Sequence, residues 1–199
     1  MEKYPKEIMI KDGTRVTLRL MEKDDVTKLL DFFRALPEED RRFLKEDVTQ
    51  EEVVRRWADE LNYDRIFPIV AEVEGKIVGD ATLHRPLYGW SKHVGEIRMV
   101  VAKEYQRKGL GTALARELYR YALDKGVEKI VAQVMEGQLG AIKAFERLGF
   151  KKEATLKEHV TDLEGKKRGL IIMANHVEDL WRRMEELYSA EEFTATIRQ

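Results

Sequence analysis

Residues 100–114, Val-Val-Ala-Lys-Glu-Tyr-Gln-Arg-Lys-Gly-Leu-Gly-Thr-Ala-Leu, constrain the fold more than any other stretch of this chain. An apolar strand runs into a short basic turn, Gly109 and Gly111 follow, and a helix starts at once. Glycines leave backbone N–H groups unobstructed. The first turn of a helix adds unpaired donors and the positive end of its dipole. Residues 107–112 therefore read as a main-chain cradle for a phosphate, with Gln106, Arg107 and Lys108 at its rim for charge-assisted contacts. A solvated strand-to-helix turn is the plain alternative. Two familiar phosphate motifs fail. Leu114 stands where a dinucleotide fingerprint needs a small residue, and no Gly-Lys-Ser/Thr triplet occurs for a P-loop.

Composition removes several function classes. The 199 residues carry a formal charge of −1, far from the cationic excess of a general nucleic-acid binder. There is no cysteine, and the two serines, Ser91 and Ser189, lie in no nucleophile elbow. Covalent Ser or Cys catalysis is therefore excluded. No apolar run approaches the ~20 residues of a membrane span, and the opening residues do not read as a signal peptide. A cytoplasmic protein is expected, with no membrane partner. His84, His93, His159 and His176 lack metal-ligand spacing, so no metal is expected.

Periodicity predicts the order of elements. Residues 8–10 and 14–20 flank Asp12-Gly13 as a hairpin. Asp24 is expected to cap a helix bearing Val26, Leu29, Leu30 and Phe33. Residues near Pro37 read as a loop. Thr49 is expected to cap a second helix with Glu52 completing a capping box, burying Val53, Trp57 and Leu61. Strands follow at 66–73, 76–83 and 94–101, with a loop carrying Tyr88 and Trp90. Next come a helix at 109–125, a strand at 128–135, a short helix stopped by Gly149, and a hairpin of 153–161 with 166–174. An amphipathic helix is expected to close the chain at 176–190, packed on the domain or at a homodimer contact, with 191–199 as a frayed tail. Residues 1–175 read as one domain.

Gln106, Gly109 and Gly111, in a Gln-x-x-Gly-x-Gly turn after a hydrophobic strand, resemble the acetyl-CoA signature of the GNAT superfamily of N-acetyltransferases. Residues 141–150, Ala-Ile-Lys-Ala-Phe-Glu-Arg-Leu-Gly-Phe, resemble that family's second signature helix, and the element order is similar over roughly residues 14–175. The opening hairpin with Arg19 and Asp24 resembles protein-lysine acetyltransferase domains of the bacterial and archaeal type. The resemblance implies an α/β fold with about seven strands in a mixed sheet, splayed between the strands at 94–101 and 128–135. About four helices and an extra C-terminal helix would flank it.

It also implies acetyl-CoA as cosubstrate. Met99, Val100 and Val101 would pair with the pantetheine arm, and the N–H groups of Arg107, Lys108, Gly109, Leu110, Gly111 and Thr112 would hold the diphosphate. Gln138 stands where the family usually has an Asn, and Phe145 where many members have a thiolate-protonating Tyr. The acetyl group would pass to a primary amine of a protein or small molecule without an acyl-enzyme. Glu96 is the expected base, with Asp80 and Glu72 as substitutes. The excess of acid in residues 38–64, ten acidic against five basic side chains, fits a cationic acceptor or simply a solvated helix pair. A non-catalytic acyl-CoA sensor is the competing reading, and an interaction module that binds no nucleotide is a third.

Overall fold

A computed structural model describes residues 4–162 and 164–197, with side chains through residue 187. The strands are β1 (Lys6–Met9), β2 (Arg15–Leu20), β3 (Ile66–Val73), β4 (Lys76–His84), β5 (Val94–Val101), β6 (Lys129–Met135), β7 (Lys151–Thr161) and β8 (Lys167–His176). The helices are α1 (Val26–Ala35), α2 (Glu38–Arg41), α3 (Glu51–Asp59), α4 (Leu110–Asp124), α5 (Leu139–Arg147) and α6 (Val177–Ile197).

All eight strands form one sheet in the order β1-β2-β3-β4-β5-β6-β8-β7, antiparallel except where β5 runs parallel to β6. The eighth strand is β1, whose residues 6–9 pair with 15–18 of β2. Each face of the sheet buries its own core. On one side α4 and α6 pack Leu110, Leu114, Leu118, Leu180 and Met184 against Leu18, Ile69, Leu83, Ile97 and Ile130. On the other, Leu29, Phe33 and Val54 of α1 and α3 cover Val70 and Ile77. A strand that alternates between two apolar layers must carry apolar residues on both, so β3 reads as a nearly continuous hydrophobic run.

Several local expectations are corrected. The first long helix is not capped by Asp24. A 3-10 turn at Lys23–Asp25 leads into α1, and Asp25 is the buried carboxylate, accepting the Glu22 N–H at 2.8 Å. Thr49 does not cap α3 either: its hydroxyl and N–H both bond Asp47, and Gln50 precedes the helix. The buried stripe of α3 is Val54 and Ala58, one position on from the expected Val53, while Trp57 is half-buried and Leu61 lies beyond the helix. Residues after Pro37 form the one-turn helix α2 instead of a loop. The backbone of α6 continues through Ile197, past position 190.

Arg19 of β2 grips Asp25 through two 2.7 Å bonds and Glu72 of β3 through a third. Burial would raise Asp25, but the guanidinium and the Glu22 N–H outweigh it and hold the carboxyl below its ordinary value. Glu72 is likewise held down by Arg19, against its own desolvation, with help from Lys28. Both groups contribute stability above their unfolded values, and that contribution is lost as pH falls through the folded ones. Arg19→Ala strands a carboxylate only 5% exposed, at a cost of about 3 kcal/mol. A fall of about 6–12 °C in Tm at neutral pH is expected, narrowing as pH drops below about 4. Calorimetric melts across pH measure it.

Candidate functional site

The parallel ladder between β5 and β6 is short. It pairs Val94 with Lys129, Gly95 with Ile130 and Glu96 with Val131, then stops, although β5 continues to Val101 and β6 to Met135. On its far side β6 stays paired to β8 from Lys129↔His176 to Met135↔Leu170, while β4 pairs β5 from His84↔Glu96 to Gly79↔Val101. The sheet therefore opens between Ile97–Val101 and Ala132–Met135, and each lip offers main-chain groups to an extended ligand.

The basic turn lies at the end of β5. A 3-10 turn at Lys103–Tyr105 brings the chain round, and Gln106 donates from its side-chain amide to the Val101 carbonyl at 2.9 Å. Gln106 thus fastens the turn to the strand it leaves. Arg107 (φ 60°) and Gly109 (φ 91°) are both left-handed, a conformation glycine adopts freely and arginine does not. The first bond within α4 runs from the Ala113 N–H to the Gly109 carbonyl, leaving the N–H groups of Leu110, Gly111 and Thr112 without a partner inside the helix. The Leu110 side chain is core. A Cβ on Gly111 would meet only the Met99 methyl, at 4.0 Å, so open space faces that backbone. Bare amides, a helix N-terminus and room beside them fit a diphosphate.

A brace reaches this turn from the opening hairpin. The Lys11 N–H donates to the Lys108 carbonyl at 3.0 Å, and Lys108 Nζ pairs with Asp12 at 2.8 Å. Glu117 of α4 accepts the Tyr4 hydroxyl at 2.6 Å and Lys6 Nζ at 2.5 Å. Lys108, expected at the phosphate rim, is thereby tied to Asp12 by a half-exposed pair.

Strand alternation puts Glu96, Arg98 and Val100 of β5 on the α1–α3 face, opposite Ile97. Their cross-strand partners on β4 are His84, Thr82 and Asp80. Glu96 forms an ion pair with Lys45, from the segment between α2 and α3, and accepts Arg98 Nε at 3.1 Å. Lys45 Nζ also donates to Gln133 Oε1 of β6 at 2.8 Å. One ammonium thus spans the gap at its closed end. Burial pushes Glu96 up, but Lys45 and then Arg98 outweigh it, and the carboxyl stays below its ordinary value. His84, 3.1 Å from the Thr82 hydroxyl, is pushed down to about 4 by burial and by Arg98, so it is neutral at pH 7.

The substitute bases differ. Glu72 is held by Arg19 and Lys28, in the cluster that ties β2 to β3. Asp80 stands between Val70 and Val100, and desolvation raises it from 3.8 to about 7 against the opposing charge of Arg98. A carboxyl raised on folding stabilises fully below its unfolded value, and that stability is gone above the folded one. Asp80→Asn should therefore raise stability above about pH 7, by up to about 4 kcal/mol, with the gain vanishing near pH 4. Urea titrations at the two pH values read it.

In the second signature segment, Gln138 precedes α5 as its N-cap. Phe145 sets its ring edge-on to Phe150 at 5.2 Å and packs against the core, with no hydroxyl to donate. Sequence reasoning missed Lys45 and Gln133, while the pairing of Glu96 with Arg98 was open to it. Only the i, i+2 spacing of Glu96 and Arg98 on one strand face offered a signal. No group of three or more His, Cys, Asp or Glu suited to a metal occurs among the described residues, and no helix there is long and apolar enough to cross a membrane.

A family model described as the acetyltransferase (GNAT) family matches residues 30–150. Phosphinothricin N-acetyltransferase of Streptomyces viridochromogenes is 30% identical over 115 residues, covering 55% of this chain and 61% of that one. The chain spans less than two thirds of the length of the curated relatives it matches. A GNAT-family acetyltransferase structure from Streptococcus pneumoniae superposes with a TM-score of 0.70 at 22% identity, over 81% of this chain and 99% of that one. Mycobacterium smegmatis RimJ in complex with CoA-disulfide gives 0.70 at 20% identity, over 92% and 93%. At such identities these structures speak for the fold.

Proposed function

The chain belongs to the GNAT family of acetyltransferases, and from that premise we propose that it transfers an acetyl group from acetyl-CoA directly to a primary amine. The observation that carries the reading is the position of the Lys45 ammonium, held by Glu96 and Gln133 where the sheet begins to open. A primary ammonium finds a carboxylate and an amide oxygen there, and an acceptor amine displacing Lys45 would find the same two groups. An aminoalkyl acceptor, a protein lysine or a small polyamine, suits that seat.

The chain's residues divide the work. N–H groups of 107–112 hold the diphosphate, and backbone groups of Met99, Val100 and Val101 take the pantetheine arm as an added strand. An N–H of Val100 or Val101 polarises the thioester carbonyl. Glu96 orients the acceptor and takes its proton, since an amine with a reference pKa near 10.4 arrives charged. Bound acetyl-CoA supplies the activated acyl group. Gln138 and Phe145 flank the second lip, and with Phe in this place the departing thiolate, whose thiol has a reference pKa near 8.5, leaves without a tyrosine donor.

A second reading rests on Asp80. Its value near 7 is that of a working base, and it pairs in register with Val100. The acid limb of the kcat/KM profile separates the two: it falls near pH 7 for Asp80 and below the ordinary carboxylate range for Glu96. Thiol release from acetyl-CoA, measured against lysine peptides and polyamines, tests the function. CoA binding without turnover of any amine would make the chain an acyl-CoA sensor.

A further inference from the structure

We propose that Lys45 is itself an acceptor, acetylated at Nζ by the molecule that carries it when acetyl-CoA is bound and no outside amine competes. The inference rests on the transferase reading and names one substrate of that same site. Its basis is where the ammonium lies. Glu96 stands on the last rung of the β5–β6 ladder, and Gln133 stands on the other lip, two residues past Val131. Lys45 Nζ bonds both, so the nitrogen lies across the end of the gap where β5 and β6 separate. An arm threaded between the lips as a strand would direct its acyl end toward that point. The side chain is 37% exposed, and it comes from the irregular segment after α2, not from a helix or strand that would fix its reach.

The step balances. The Lys45 ammonium gives one proton to Glu96, and the neutral Nζ adds to the thioester carbonyl carbon. A C–N bond forms, the C–S bond breaks, and the second nitrogen proton goes to the departing CoA thiolate. The products are an amide at Lys45 and free CoA thiol, and Glu96 returns its proton to water. Exposed Lys76 and Lys166 face no such arrangement. Tethering a nucleophile beside an electrophile raises its effective concentration far above that of a surface amine.

The full chain incubated with acetyl-CoA alone, followed by intact mass and peptide mapping, tests this. The expected result is one acetyl group at Lys45, appearing at a rate independent of protein concentration and at least about tenfold faster than at Lys76 or Lys166. Excess CoA should suppress labelling of Lys45 and leave the surface lysines unchanged. Lys45→Arg, which keeps the cation, should gain no rapid adduct. If Lys45 labels no faster than Lys76 while CoA binds and an outside amine is turned over, self-acetylation is overturned and the transferase reading stands. If calorimetry finds no CoA binding, both fall.

Discussion

Glu96→Gln should lower kcat by two to three orders of magnitude, about the contribution of a positioned general base, while the KM for acetyl-CoA stays within about twofold. The split follows from position. Glu96 lies on the last ladder rung with its side chain on the α1–α3 face, whereas the phosphate turn lies beyond the far end of β5. Gln preserves a hydrogen-bond acceptor for Lys45 and Arg98 but carries no charge and takes no proton. Steady-state kinetics with a lysine peptide measure the change. An unchanged kcat would move the proton to Asp80, which Asp80→Asn tests in the same assay. The two variants differ in stability as well, because Asp80→Asn removes a carboxyl that is costly to charge while Glu96→Gln removes one its neighbours hold ionised.

The second large effect concerns two neighbouring glycines that serve for different reasons. Gly109 is left-handed, so Gly109→Val costs about 2 kcal/mol in backbone strain and displaces the start of α4. Gly111 lies inside the helix with open space beside it. Gly111→Leu should leave Tm unchanged or raise it, because leucine is the better helix former by about 0.8 kcal/mol. Its side chain would nevertheless fill the space a diphosphate needs. Losing two charge-assisted bonds of about 1.5–3 kcal/mol each weakens acetyl-CoA binding at least about hundredfold. Calorimetric titration and thermal melts on both variants are the measurement. A Gly111→Leu protein that binds normally would place the anion elsewhere.

Legibility in the sequence followed the range of the interactions. The turn at residues 106–111 was readable because strand, left-handed glycine and helix start are set by neighbours in the chain. The opening of the sheet could only be expected by resemblance, since nothing local to β5 or β6 says where their pairing ends. The α3 stripe slipped by one residue because Val53 and Val54 are both apolar, and only the packing of α3 against α1 decides which one is buried. Asp24 and Asp25 are adjacent carboxylates, and it is Arg19, six positions earlier, that draws Asp25 into the interior. Lys45 was invisible: it reaches Glu96 across 51 positions and Gln133 across 88, and in the sequence it is one basic residue in an acidic segment.

The tie between the opening hairpin and the phosphate turn has a consequence for how the chain tolerates change. Lys11 and Asp12 hold the turn through Lys108, and Tyr4 and Lys6 hold the helix that follows it through Glu117, so residues assigned no ligand contact set where the turn lies. The two segments lie about a hundred positions apart, so this geometry forms only after distant parts of the polypeptide have met, a slow class of contact. A polypeptide shortened to start at residue 14 would keep every proposed ligand-binding group and still grip its ligand loosely, and a bulky fusion at that end would do the same.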